Sequence, residues 1–238
     1  MKNIVVLAAV LMSIFSFSSC RKVVGEGPVQ TEDRIVNNFT GISTSISGKI
    51  YFKQSATYRV QLAAQQNILD VIETYRSGNV LIIKFRNDVN VRSHSDIVVN
   101  ISAPSLESLN LSGSADVNVT GDLSSNDFNA TLSGSGNLTI DSMKLTNQLS
   151  AAVSGSGFIK LFSGNAKTVN TAVSGSGYID LSAVNADNGI AKISGSGTTK
   201  VKVQQTLDAS ISGSGDIYYF GNPTVTTHIS GSGKVIKL

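Results

Sequence analysis

The chain has 238 residues, 41% of them hydrophobic and 15% charged, with 22 glycines, 3 prolines, 1 cysteine and no tryptophan. Its formal charge of +3, or +2 once Lys2 leaves with the export signal described below, excludes the basic balance of a nucleic-acid binder. All six arginines lie at Arg92 or earlier, so everything beyond lacks a guanidinium fork for phosphate or carboxylate.

Residues 1–19 read as a lipoprotein export signal. Lys2 supplies the positive start, Ile4–Phe17 the apolar run and Phe17-Ser18-Ser19-Cys20 the processing site. The run is too short to span a bilayer and fits a signal core. Small residues leading into a cysteine resemble a bacterial lipobox, which implies cleavage before Cys20 and its acylation with fatty chains such as palmitate. One chain anchors weakly and several hold firmly. Because Cys20 is the sole cysteine, the body has no thiol for disulfides, Cys-zinc sites or thiol catalysis, and no metal or cofactor is expected. Residues 20–33 read as a lipid-anchored tether, in which Arg21–Thr31 lifts the domain off the lipid surface. No acidic run follows Cys20, which favours the periplasmic face of an outer membrane over the cell surface.

Residues 34–238 read as one β domain, with a less regular section over 34–103. Strands are expected at Arg34–Asn38, Gly41–Ser47, Lys49–Gln54, Tyr58–Ala63, Val80–Phe85 and Ile97–Ser102 from their β-branched content. Asn67–Glu73 suits a short helix capped by Asn67, or a strand. Asn87–Asp96 suits a polar turn or hairpin tip.

From residue 104 the chain repeats itself. Ser133-Gly134-Ser135-Gly136 returns at Ser154, Ser174, Ser194, Ser212 and Ser230, and Ser112-Gly113-Ser114-Ala115 is a degraded first copy. The steps between copies are 21, 21, 20, 20, 18 and 18 residues, the mark of a solenoid. Around each tetrad apolar residues alternate: Leu132, Val153, Val173, Ile193 and Ile211 just before it, Leu138, Ile159, Ile179, Thr199 and Ile217 two places after. A period of two is a strand signal. Each unit therefore reads as strand, glycine corner, strand and loop, and about seven such coils stack into an all-β parallel β-helix, expected to be right-handed. One coil cannot bury enough alone, so the stacked array is the stable form. The corner needs glycine for positive φ and for close approach of stacked corners. A phosphate loop would need a lysine and a following helix, and here a strand follows. On the last strand, Lys234 and Lys237 discourage edge pairing.

Phe39-Thr40-Gly41-Ile42, the strand Asn79-Val80-Leu81-Ile82-Ile83, Ile101-Ser102-Ala103-Pro104-Ser105-Leu106 and the serial SGSG units resemble the head GIN domain family (DUF2807), also called auto-transporter adhesin. The resemblance covers roughly residues 34–220. It implies a β-helical fold, an envelope lipoprotein and an adhesin-like role, and brings no catalytic residues.

First and third residues after each corner should face outward. Phe158 and Tyr178 then neighbour each other on adjacent coils, beside Lys160, Asp180, Lys200 and Tyr218. Such a face serves either as a platform for a glycan or an envelope surface protein, or as a self-supporting ladder of rings and opposite charges. A polysaccharide-cleaving β-helix needs two carboxyls ~5–9.5 Å apart. Asp180 and Asp216 stand roughly 12 Å apart by strand spacing. Loops carry Asp122, Asp127, Asp141, Asp187 and Asp208. His94 near Asp96 lacks a third partner, and His228 stands alone on its strand. The reading is a non-enzymatic envelope lipoprotein that binds or scaffolds through its outer faces. Its partners are the membrane through Cys20 and a glycan or envelope protein, with a purely structural periplasmic role as the rival.

Overall fold

The computed structural model describes residues 21–238; the export signal and Cys20 lie outside the described residues. In the N-terminal section the strands are β1 (Arg21–Val24), β2 (Val29–Arg34), β3 (Gly41–Thr44), β4 (Lys49–Gln54), β5 (Arg59–Gln65), β6 (Ile72–Ser77), β7 (Val80–Phe85), β8 (Val89–Ser93) and β9 (Val98–Ala103). The repeats supply β10 (Ser108–Gly113), β11 (Asp116–Ser125), β12 (Phe128–Gly134), β13 (Asn137–Leu145), β14 (Gln148–Gly155), β15 (Phe158–Leu161), β16 (Gly164–Gly175), β17 (Tyr178–Gly195), β18 (Thr198–Gly213), β19 (Asp216–Phe220), β20 (Thr224–Gly231) and β21 (Lys234–Lys237).

The alternating apolar columns become the inside of a parallel β-solenoid of about six turns. Leu111, Leu132, Val153, Val173, Ile193, Ile211 and Ile229 follow one another in register, and so do Val117, Leu138, Ile159, Ile179, Thr199, Ile217 and Val235. A third ladder, which includes the pairs Leu123–Met143 and Ala166–Ala186, closes the coil. The inward residues are almost fully buried until the last coil, where Ile229 is 46% exposed.

The corners show why the tetrad repeats. The first glycine of each adopts positive φ, +127° at Gly155, where a Cβ would lie 2.4 Å from the carbonyl oxygen of Gly134 one coil before. The second has no such φ, but at Gly157 a Cβ would lie 2.1 Å from the Gly136 oxygen. That close approach lets the Gly134 carbonyl accept from both Ser156 N (3.0 Å) and Gly157 N (3.2 Å). A side chain at either position would break the stack.

The N-terminal section is irregular in chain order but supplies two rungs of the same stack. β3 lies parallel between β7 and β10, and β4 between β9 and β11. The terminal rung of β7 and β9 is then covered by antiparallel β6 and β5, with β2 outside β5. Covering the edge in this way removes a row of unpaired backbone groups from one end of the rod. A helical turn, Gln66–Leu69, buries Ile68 and Leu69 there.

Several local expectations are corrected. The strand placed at Arg34–Asn38 ends at Arg34, because its antiparallel register with β5 stops at Val60 and Asn38 turns the chain at φ +60°. Asn67 does not cap the turn, whose N-cap is Gln65 without a side-chain bond. Its amide instead donates to the Val24 oxygen (2.7 Å) and accepts from Glu26 N (3.0 Å). The polar tip at Asn87–Asp96 contains β8, which pairs in parallel with β1. Arg21–Thr31 is therefore no free tether: it enters β1 and β2 and is fastened to the body. At Gly25 the fit is close, since a Cβ would lie 1.8 Å from Gln65 Oε1.

Candidate functional site

The corners set the faces. After each one, alternate residues point out of the solenoid, so Phe158, Tyr178 and Thr198 align in one column and Lys160, Asp180, Lys200 and Tyr218 in the next. All six residues expected on a binding face thus share one sheet. Their contacts differ from a simple ladder. Asp180 is only 8% exposed, although its position faces outward. One of its oxygens accepts from the Tyr178 hydroxyl (3.1 Å), the other from Ser182 N (3.1 Å) and Ser182 Oγ (2.6 Å). Burial pushes its carboxyl up, but these hydrogen bonds and the charge of Lys160 outweigh burial and hold it below the usual carboxylate range. Burial raises the Tyr178 phenol, with Lys200 opposing.

Lys200 reaches two rings, its Nζ lying 5.7 Å from the Tyr178 centroid and 5.9 Å from Tyr218. The neighbouring Tyr178 raises its pKa. Lys160 lies over Phe162, 4.9 Å from that centroid, and Phe162 is 54% exposed. The charged column is thus held by cation–ring contacts and hydrogen bonds rather than by contact ion pairs. Arrangements of this kind fix long side chains in place before any ligand arrives.

The carboxylates do not converge. Asp180 pairs in register with Lys200 and Asp216 with Thr198, leaving two strand spacings and two residues between them, roughly 12 Å. Asp216 accepts from Lys234 N (2.9 Å), and Asp116 from the Asn137 amide (2.7 Å). Of the acids expected on loops only Asp127 lies outside the strands, where it accepts from the Asn147 amide (2.7 Å). Asp122, Asp141, Asp187 and Asp208 sit within β11, β13, β17 and β18, because these strands run on past the expected loops, and Asp141 accepts from Gly121 N (3.0 Å). His94 and Asp96 part company: the His94 Nδ1 lies 2.7 Å from the Ser95 oxygen, and Asp96 pairs with Lys49 at 2.8 Å. Among the described residues no group of three or more His, Cys, Asp or Glu could hold a metal ion, and no helix is long and apolar enough to cross a membrane.

Two features escaped the reading of the sequence. Before the corners, the outward column Thr131, Ala152, Ala172, Lys192, Ser210 and His228 lines an open groove of about 450 Å³ along the coils. His228 is thus not alone, since it shares this groove with Lys192. The same period of two would have exposed the column, had the strands before the corners been read for their outer residues. The second feature, the docking of β1 on β8, left no local signal, because Arg21-Lys22-Val23-Val24 and Val89–Ser93 are 68 residues apart at their first partners, Arg21 and Val89.

Comparison with known proteins gives the frame. A putative adhesin of Bacteroides fragilis has 25% identity and a TM-score of 0.85, over 91% of this chain and 100% of that one. Two further structures share the fold at lower identity. A putative lipid binding protein of Parabacteroides distasonis has 24% identity and a TM-score of 0.75, over 92% of this chain and 100% of that one. A putative adhesin of Parabacteroides merdae has 22% identity and a TM-score of 0.75, over 92% and 99%. Comparison with curated proteins gives no match. Residues 38–223 match the family described as putative auto-transporter adhesin, head GIN domain, and the chain belongs to that family.

Proposed function

We propose that this chain is a non-enzymatic cell-envelope lipoprotein, held to the outer membrane through acylated Cys20, whose solenoid captures an extended glycan along the face of Phe158, Lys160, Tyr178, Asp180, Lys200 and Tyr218. The observation that carries the reading is the fixed array of rings and cations around Lys200, set in unbroken strand register. An extended polymer laid along the axis would cross successive rungs ~4.8 Å apart, meeting rings and charges in turn. The adhesin names of the family and of the B. fragilis structure support a binding role.

A second reading is favoured by one contact set. Asp180 is satisfied within the chain by Tyr178 and Ser182, as a purely structural ladder requires. Replacing Tyr178 and Tyr218 by alanine separates the two. On the binding reading, capture of envelope glycan by the purified protein falls roughly tenfold or more, the scale of losing aromatic contacts. Unchanged capture with lowered stability would support the structural role.

Turnover of a polysaccharide, lost on Asp180→Asn or Asp216→Asn, would overturn the non-enzymatic reading. Protease shaving of intact cells, following a tag after Leu238, decides the partner's side. Tag loss on intact cells means capture of something outside. Protection until the outer membrane is permeabilised means a periplasmic polymer, and the adhesin role is then dropped.

A further inference from the structure

The N-terminal strands fix how an anchored molecule would stand. The Arg21 N–H donates to the Asp88 oxygen (2.9 Å) and Gly25 N to the Ser93 oxygen (2.7 Å). Asn67 holds Val24 and Glu26, and the Gln65 amide donates to the Gly27 oxygen (3.2 Å). Whatever is joined to the Arg21 nitrogen is therefore one peptide unit, ~3.8 Å, from a fastened point on the body. A free tether of the length of Arg21–Thr31 would spread over roughly 18 Å instead. Surface charges are felt across a Debye length, ~8 Å in physiological salt. Fastening therefore decides whether the body's charges meet the membrane.

The charges at this end suit that meeting. In the β1–β8 pair Val23 is buried and Val91 packs on the core, so Lys22, Val24, Asn90 and Arg92 alternate onto the outer side. Neither strand contains an acid. Among the described residues neither Lys22 nor Arg92 makes an ion pair, and Val24 is 50% exposed. Of the flanking acids, Asp88 is occupied by a two-pronged bond from Arg86 (3.1 Å each), while Glu26, beyond the end of β1, and Asp70, which accepts from the Gln66 amide (3.0 Å), share a recess with Arg21, Lys22 and Arg86.

We propose that the outer face of the β1–β8 sheet lies against an anionic phospholipid bilayer, seating the solenoid on the membrane by its covered end. The inference rests on acylation of Cys20. It adds a second, electrostatic hold to the lipid anchor, the combination that stabilises peripheral attachment. Along the ladder β9–β4–β11–β13–β15–β17–β18–β19–β21 there are eight strand steps, so the last coil stands ~38 Å along the axis from the β9 rung at the covered end.

The test uses the full chain, acylated in cells and reconstituted into phosphatidylethanolamine–phosphatidylglycerol vesicles containing a headgroup nitroxide quencher. Fluorophores are placed at Asn90→Cys or at Thr226→Cys in the last coil. The expected result is strong quenching at residue 90 and little at residue 226. Quenching at residue 90 should drop in the Lys22→Glu, Arg92→Glu variant, in ~1 M salt, where the Debye length is about 3 Å, and in vesicles of phosphatidylcholine alone. Equal quenching at the two sites, or insensitivity to charge reversal and salt, overturns the seating. Incorporation of an alkyne fatty acid, absent in Cys20→Ala, is scored separately. Intact incorporation with equal quenching defeats the seating and leaves the anchor standing. Absent incorporation defeats the anchor and the seating together.

Discussion

The two ends of this molecule solve the same problem differently. From β10 onward each coil is covered by the next, so one corner and two apolar columns serve every repeat. Between β1 and β9 the stack has to end, and repetition stops being an answer. The chain there places β3 and β4 second in the stack and sends β7 and β9 beyond them. It then seals the outer rung with antiparallel β5 and β6. Irregular sequence marks the place where a repeating core needs a lid, as terminal repeats do in other solenoids. The opposite end keeps the repeat to its last strand, with Ile229 and Leu238 half exposed.

Large-to-small changes probe that difference most strongly. Phe52 on β4 and Phe128 on β12 are both fully buried, and alanine at either should cost about 3–5 kcal/mol in urea unfolding. Phe52→Ala should loosen the covered end and shift probes at both ends together. Phe128→Ala leaves the two N-terminal rungs packed, so its first loss is in the coils beyond. Gly155→Val attacks the corner: its φ of +127° and the 2.4 Å approach to Gly134 leave no room for a side chain. A loss of about 3 kcal/mol is expected. The same change at Gly27, also at positive φ but with open space beside it, should cost distinctly less in the same assay.

Asn67→Ala removes the two bonds to Val24 of β1 and to Glu26, and should cost about 1–2 kcal/mol. Its signature is early cleavage after Arg21 or Lys22 by trypsin while the repeat coils stay resistant. The smallest effect concerns Asp180. Its carboxyl is held low in the folded chain, so its contribution is present above the unfolded value of ~3.9 and is lost as pH falls through the lower folded value. Asp180→Asn should flatten the acid limb of a stability–pH curve below about pH 4 and leave its neutral slope unchanged.

The repeat array was legible because its physics is local. Period-two alternation and the glycine corner sit within about twenty residues, and the columns they predict are those found in register. Phe158, Tyr178, Lys160, Asp180, Lys200 and Tyr218 were placed on one face for the same reason. Their contacts were not legible: nothing in the spacing says that Asp180 folds back onto Ser182, or that Lys200 lies near both Tyr178 and Tyr218. The N-terminal section was harder because its partners are remote in sequence. Asn67 looked like a helix cap from its neighbours alone, and Arg21–Val24 looked like tether because β8 follows only after residue 88. A strand whose partner is that distant carries no local period to betray it.

Native-state hydrogen exchange read along the whole chain tests the central claim, that one end of the solenoid is covered and fastened and the other is open. The account predicts protection in Arg21–Val24 and Val89–Ser93, full protection in Val80–Phe85 and Val98–Ala103 equal to the middle coils, and a decline through Thr224–Gly231 to Lys234–Lys237. Immediate exchange of Arg21–Val24, or an N-terminal section that opens before the last coil, would contradict it.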